Sequence, residues 1–193
     1  MGRRITSLMQ LWNSTQKGSV LLEFAIILPI LVVLLFAIID FGRLIQARVV
    51  VTSVSREGGS IAARDIKTGN DLITMLQSSG TPLDLDALGK IYVSRVKAGT
   101  SASAPNPTIE TQISGGHLTV SSKISETDAF LGLSEEMYNH LKFKTANQTS
   151  DILEVTLVEI FYKYSPITPL PQFIQGLLLS AGDGIIIGCR TAF

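Results

Sequence analysis

An uninterrupted apolar segment near the N terminus constrains this chain more than any other feature. Residues 20–39 read VLLEFAIILPILVVLLFAII, and eighteen of these twenty residues are apolar, with Glu23 and Pro29 as the exceptions. A helix rises about 1.5 Å per residue, so the segment would span roughly 30 Å, the thickness of the hydrocarbon core of a bilayer. Because the segment is apolar on every face, it predicts a membrane-spanning helix rather than the buried core helix of a soluble protein.

A cleaved secretory signal is the other alternative for this segment. Such signals have an apolar region of about 7 to 15 residues followed by a cleavage site of small residues. Here the apolar run is longer and is followed by Asp40, Phe41, Gly42 and Arg43, so we expect it to stay in the protein. Basic residues flank both ends, so the positive-inside bias is weak. A cytoplasmic N-terminal tail is predicted because that tail has nothing to fold.

The composition excludes several classes of protein. Charged residues make up 17% of the chain and cancel to a net charge of zero, which argues against a disordered charged tail and against a nucleic-acid partner. The chain has one cysteine, Cys189, so no disulfide can form within it. Cys189 lies among apolar residues and is predicted to be a buried structural thiol, with a cross-link between two subunits as the alternative.

No arrangement of residues predicts catalysis, a metal or a cofactor. Glu136 and His140 are four residues apart, but a metalloprotease helix needs a second histidine, so we interpret them as a surface pair. His117 follows a Gly-Gly turn and is interpreted as a solvated loop residue. We therefore expect no enzyme. A membrane-tethered enzyme stays open only if the fold builds a cleft of convergent titratable groups.

The residues around the start of the apolar run form a recognisable pattern. A basic tail with Arg3, Arg4 and Lys17 leads to Gly18-Ser19, and Glu23 follows five residues after Gly18. An acid inside a spanning segment is costly, although Glu23 is close enough to the start of the run to reach the headgroups. The pattern resembles the class III leader of type IV prepilins. The resemblance implies that a prepilin peptidase cuts between Gly18 and Ser19.

The residues after Gly18-Ser19 resemble one particular family of prepilin-like proteins. They are Glu23-Phe24-Ala25, Pro29 early in the helix, Asp40-Phe41-Gly42-Arg43 at its end and the sequence REGGSIAAR at residues 56–64. Residues 18–65 resemble the TadE-like family of minor pseudopilins from tight-adherence (Tad/Flp) pilus systems. The tail at residues 159–171, with its three prolines, fits the same family, whereas residues 66–150 show no resemblance.

The resemblance implies a role in assembly. Glu23 of an incoming subunit would pair with the α-amine of Ser19 on its neighbour and set the axial register, with Phe24 beside it and Pro29 kinking the helix. The implied partners are the prepilin peptidase, other pilins or pseudopilins, the pilus assembly platform and the bacterial inner membrane. The outer domain would be periplasmic or extracellular. The alternative is a single-pass membrane-anchored domain that binds a ligand or protein and is not processed.

The rest of the chain predicts an α+β domain. Six residues spaced three or four apart extend the helix as an amphipathic spine, which Gly58-Gly59 could end: Leu44, Ala47, Val51, Val54, Gly58 and Ile61. Short helices are predicted at 71–78, 84–88, 134–141 and 170–179. Strands are predicted at 91–96, 108–113, 117–124, 152–164 and 184–189, with 108–113 and 117–124 forming a hairpin.

These elements predict a pilin-like architecture, in which a long N-terminal helix packs on an antiparallel sheet of four or five strands. The predicted organisation is a leader at 1–18, a transmembrane and assembly helix at 19–40, an amphipathic extension at 41–65 and an extracytoplasmic domain at 66–193.

Overall fold

The computed structural model describes residues 3–64, 69–144, 152–169 and 184–193, and over residues 3–17 it describes the backbone alone. Contacts divide the chain into two compact units. The first comprises Met1–Arg43 and Pro166–Ala181, and the second comprises Leu44–Ser165 and Gly182–Phe193. Each unit is described separately below.

The longest element is helix α1, Arg3–Ala63. Its residues up to Arg43 belong to the first unit, and those from Leu44 onward contribute to the second. The sequence left open whether the helix ends at Gly58-Gly59, and in the structure α1 continues through both glycines. A Cβ atom at Gly58 would lie 2.8 Å from Leu76 Cδ2, and one at Gly59 would lie 2.2 Å from Phe193 Cδ2. These glycines therefore allow other parts of the chain to approach the helix closely.

In the second unit, four strands form one antiparallel sheet. They are β1 (Gly89–Lys97), β2 (Thr108–Gly115), β3 (Glu154–Tyr164) and β4 (Ile185–Ala192), in the spatial order β2-β1-β3-β4. The central strand β3 pairs with β1, where Val93 lies opposite Val158, and with β4, where Ile160 lies opposite Cys189. Ten of the eleven residues of β3 are buried or half-buried, as expected for a central strand covered on both faces.

One face of the sheet packs on α1. The spaced apolar residues predicted for the helix extension line this contact: Ala47, Val51 and Val54 are buried, and Leu44 and Ile61 are half-buried. Helix α2 (Asn70–Ser79) adds Leu72, Ile73 and Leu76 to the same core. The sheet contributes alternate residues, Ile91 and Val93 from β1 and Val158, Ile160 and Tyr162 from β3.

The other face of the sheet is covered by the segment that follows β2. Ile124, Leu131 and Leu133 of this segment pack with Val155 and Leu157 of β3. The segment leads into helix α3 (Glu135–Leu141), where the side chain of Ser134 accepts a hydrogen bond from the backbone N–H of Met137, as the predicted N-cap requires. Leu141 at the end of α3 is fully buried in this second core.

Two predicted elements are wrong. Residues 117–124 form no strand, because they cross the sheet face, where the Tyr92 hydroxyl donates to the Val120 carbonyl and Ile124 enters the core. As a hairpin partner of β2, this segment would leave that face open to solvent. Residues 84–88 form turns rather than a helix, because β1 begins at Gly89 and leaves room for one turn.

The predicted α+β class, with a long N-terminal helix on a four-stranded antiparallel sheet, is confirmed. The helix predicted at 170–179 lies outside the described residues.

Candidate functional site

The first candidate feature is the apolar surface of α1. Fifteen large apolar side chains between Val20 and Ile39 are exposed, Leu21 by 70%, and Phe36 is half-buried. The most apolar 18-residue window of Gly18–Ala63 has a mean hydropathy of 3.0 and none of it is buried. Among the described residues, this is the one helix long and apolar enough to cross a membrane. Apolar exposure on all sides of a helix fits a single-pass anchor in lipid.

The predicted processing and register residues lie at the start of this surface. Gly18, Ser19 and Glu23 are all exposed on α1. Ser19 and Glu23 are four residues apart, so they lie on the same face of the helix, one turn from each other. Glu23 makes no hydrogen bond or ion pair within the described part of the chain. A Cβ atom at Gly18 would meet nothing within 4 Å.

The other two predicted site residues lie further along the same helix. Phe24 follows Glu23 and is 61% exposed, so its ring is available to a neighbouring helix or to lipid. Pro29 lies inside α1, which continues on both sides of it. Proline has no N–H, so the helical hydrogen bond to the carbonyl of Ala25 is missing. The kink at Pro29 and the assembly role of Phe24 stay predictions.

Asp40, at the end of the apolar surface, binds a distant segment of the first unit. Its Oδ1 accepts hydrogen bonds from the backbone N–H groups of Ile167, at 3.2 Å, and Thr168, at 3.3 Å. Its Oδ2 accepts a hydrogen bond from the Thr168 hydroxyl. The sequence marked Asp40 only as part of the helix exit. The contact spans 127 residues, and no local pattern predicts it.

Ser55 joins α1 to the sheet within the second unit. It is fully buried, and its hydroxyl lies 3.2 Å from the Val158 carbonyl oxygen on β3 and 2.9 Å from Thr191 Oγ1 on β4. The Thr191 hydroxyl donates to the Ser55 carbonyl at 2.9 Å. Sequence reasoning missed this residue because it lies next to the spaced apolar residues of the helix extension and is not one of them. A small polar residue directly after a buried position of an amphipathic helix, as Ser55 follows Val54, is the sequence signal that could have identified it.

The residues considered for other chemistry are scattered. His117 Nδ1 lies 3.5 Å from Asp86 Oδ1, and both side chains are well exposed. Glu136 and His140 are exposed on α3. No group of three or more metal-binding side chains occurs within the described ranges. Cys189 is a free thiol that packs against the core, but it is half-buried rather than fully buried as predicted.

Comparison with known proteins gives one match. The family model described as TadE-like protein matches residues 18–60. The matched region begins at Gly18 and includes the apolar surface, Asp40 and Ser55. Comparisons with curated proteins and with solved structures gave no significant match. Residues 18–60 of this chain are therefore similar to the TadE-like family, which is the family that the sequence resemblance predicted.

Proposed function

We propose that this chain is a minor pseudopilin of a tight-adherence type IV pilus system. It enters the bacterial inner membrane as a prepilin with its N terminus in the cytoplasm and its C-terminal domain periplasmic or extracellular. A prepilin peptidase removes residues 1–18, and the mature subunit then joins other pilins or pseudopilins at the assembly platform. In this role the chain contributes to pilus assembly, surface adherence or secretion, and it catalyses no reaction.

The observation that carries the proposal is where the family match begins. The TadE-like model starts at Gly18, the residue after which the leader would be cut, and covers the helix whose apolar side chains are exposed on every side. A helix of this kind can be accommodated in lipid and also among apolar helices of other subunits. The same surface therefore supports both membrane insertion and assembly.

The charges at the N terminus support the proposal that removal of the leader prepares the subunit for assembly. The leader carries Arg3, Arg4 and Lys17 and no acid, so its removal changes the net charge of the chain from 0 to 0 − 3 = −3. Cleavage also creates a positive α-amine on Ser19, one helical turn from Glu23. An isolated carboxylate in a low-dielectric bundle of helices is costly, and an ammonium group from a neighbouring subunit offsets this cost. This pairing would fix the axial register between subunits.

The size of the outer domain supports a minor role. In the tight-adherence pilus systems to which the resemblance points, the major pilins are little more than the apolar helix. Here the described part of residues 66–193 adds a folded domain with a four-stranded sheet and two short helices. A subunit of this bulk fits the initiation, tip or decoration of a pilus better than its repeating shaft.

Processing is tested by the intact mass of the protein purified from membranes, expressed with and without a prepilin peptidase. We expect a peptidase-dependent loss of residues 1–18, leaving Ser19 first. Gly18→Leu should block this cleavage while leaving the fold intact, because the new side chain meets open space. Gly42→Leu is a matched control, since a Cβ atom at Gly42 also meets nothing within 4 Å, and it should be cut normally.

An unchanged mass in the presence of an active peptidase would overturn the processing step. The spacing from Gly18 to Glu23 would then be a coincidence, and the chain would be a membrane-anchored domain that binds a ligand or protein.

The register role is tested with Glu23→Ala. We expect normal membrane insertion but no assembled pili, because the α-amine of Ser19 loses its partner. The measurement is the amount of pilin in the sheared surface fraction compared with the membrane fraction. Glu57→Ala is the control, because Glu57 is an exposed acid further along the same helix. Normal pilus production by Glu23→Ala would refute the role of Glu23.

A further inference from the structure

A pocket of about 380 Å³ lies on the face of the sheet opposite α1. Glu159 and Phe161 of β3, Ile186 and Arg190 of β4, and Val120 and Lys123 of the covering segment line it. Pockets that bind small molecules range from about 300 to 1,000 Å³. This pocket therefore has room for a molecule the size of an amino acid. No residue of the matched region at 18–60 contributes to its lining.

Glu159 is the unusual residue of this pocket. Its side chain is 1% exposed, although it lies on a strand surrounded by apolar residues. Its Oε2 accepts a hydrogen bond from the Ser122 hydroxyl and another from the backbone N–H of Lys123 at 3.2 Å. Its Oε1 has no hydrogen-bond donor among the described residues.

An unpartnered carboxylate oxygen in a protein interior is costly, and native structures rarely leave one without a role. Glu159 lines the pocket, so a bound molecule can bring a donor to Oε1 while Oε2 keeps its two hydrogen bonds. The Oε1 atom is therefore an acceptor that the described residues leave for the donor of a bound molecule.

Two cations line the same pocket. Lys123 and Arg190 are both exposed, and the Arg190 guanidinium donates to the Gly132 carbonyl at 2.6 Å. The Lys123 ammonium forms no hydrogen bond or ion pair in the described part of the molecule. A ligand with an ammonium group alone would be repelled by these cations, and a ligand with a carboxylate alone would be repelled by Glu159. A molecule that carries both an ammonium group and a carboxylate can place the first near Glu159 and the second near Lys123 and Arg190.

The remaining walls are apolar, because Val120, Phe161 and Ile186 supply them. We propose that this pocket binds a free α-amino acid with an apolar side chain. Its ammonium group donates to Glu159 Oε1, its carboxylate faces Lys123 and Arg190, and its side chain contacts the apolar wall. This assignment goes beyond the assembly role and does not depend on it, since the site lies on the outer domain.

The test is isothermal titration calorimetry on the full-length chain in detergent micelles, with L-leucine as the probe. Two analogues separate the charges: 4-methylpentanoate lacks the ammonium group, and 3-methylbutan-1-amine lacks the carboxylate. We expect leucine to bind with saturation and each analogue to bind at least about tenfold more weakly, the factor expected for one lost hydrogen bond to a charged group. No saturable heat from leucine up to its solubility limit would overturn the proposal.

Glu159→Gln keeps the shape of the side chain and an acceptor for Ser122. It should weaken leucine binding by about tenfold or more. Glu154→Gln, an exposed acid on the same strand, is the matched control and should bind leucine as the wild type does. Equal affinity in the Glu159 and Glu154 variants would refute the role of the buried carboxylate.

Lys123→Gln provides a second test that stands even if Glu159→Gln fails to fold. It should lower the affinity for leucine and raise the affinity for 3-methylbutan-1-amine, because it removes a positive charge from the pocket lining. A ratio of the two affinities unchanged from that of the wild type would overturn the proposed orientation of the zwitterion.

Discussion

Replacing Ser55 with alanine tests how α1 is held against the sheet. The Ser55 hydroxyl is fully buried and has one hydrogen to donate, either to the Val158 carbonyl at 3.2 Å or to Thr191 Oγ1 at 2.9 Å. The Thr191 hydroxyl donates to the Ser55 carbonyl in return. Alanine therefore removes one buried donor that bridges two strands, while the hydrogen bond from Thr191 stays in place.

The expected change in the free energy of unfolding follows from the number of hydrogen bonds lost. One buried hydrogen bond between neutral groups contributes about 1 kcal/mol to the free energy of unfolding, so Ser55→Ala should cost about that much. Thr191→Val removes the return hydrogen bond and should cost a similar amount. Because the two hydroxyls are in contact, the double variant should show a coupling of about 0.5 to 1 kcal/mol rather than simple additivity.

The assay is thermal unfolding of the full-length chain in detergent micelles, followed by the near-UV circular dichroism of its tyrosines. Tryptophan fluorescence is unsuitable, because the single tryptophan, Trp12, lies in the predicted leader, far in sequence from Ser55. A loss of about 1 kcal/mol should lower the Tm of a unit of this size by roughly 3 to 5 °C.

Thr52→Ala is the matched control for this series. The Thr52 hydroxyl donates to the Arg48 carbonyl within α1 and does not reach the sheet. Its removal should change the stability by less than about 0.5 kcal/mol. If Ser55→Ala melts together with the wild type and Thr52→Ala, the Ser55 hydroxyl does not hold the helix to the sheet.

Two further predictions concern the core and the helix exit. Leu76 is fully buried beside α1, so Leu76→Ala should lower the free energy of unfolding by about 3 kcal/mol in a denaturant titration. Leu88→Ala, at a side chain 41% exposed, should cost much less, and equal costs would contradict the packing described. Asp40→Ala removes the acceptor of the Ile167 and Thr168 amides, so their hydrogen exchange should accelerate by about tenfold or more. Unchanged exchange at both amides would show that Asp40 does not hold this segment.

The elements that the sequence predicted correctly have strong local signals. The apolar run and the spaced residues from Leu44 to Ile61 require only the helical period to be interpreted, and both lie on α1 as expected. The α3 helix also follows from a local signal, the capping side chain of Ser134. The family match at residues 18–60 covers the region where these signals are densest.

The hairpin predicted at 108–124 failed for a tertiary reason. Alternating residues and a Gly-Gly turn favour a return strand, and nothing in residues 117–124 opposes it. The sheet, however, has a second apolar face formed by residues such as Val96 and Leu157, and some segment must cover it. Ile124 and its neighbours do so, and burying that face outweighs one more strand pairing.

The sequence by itself determined the membrane-type helix, its amphipathic continuation, the α+β class and the TadE-like resemblance. The first three depend on hydrophobicity and spacing, and the resemblance depends on short motifs; all of these are properties of short segments. Only the tertiary structure decided that Asp40 binds Ile167 and Thr168, that Ser55 meets Thr191, and that Glu159 is buried with one oxygen unpartnered. The two contacts join residues more than a hundred positions apart, and Glu159 is buried by a distant segment. These long-range contacts and this burial depend on how the whole chain buries its apolar surface, and no local sequence pattern predicts that.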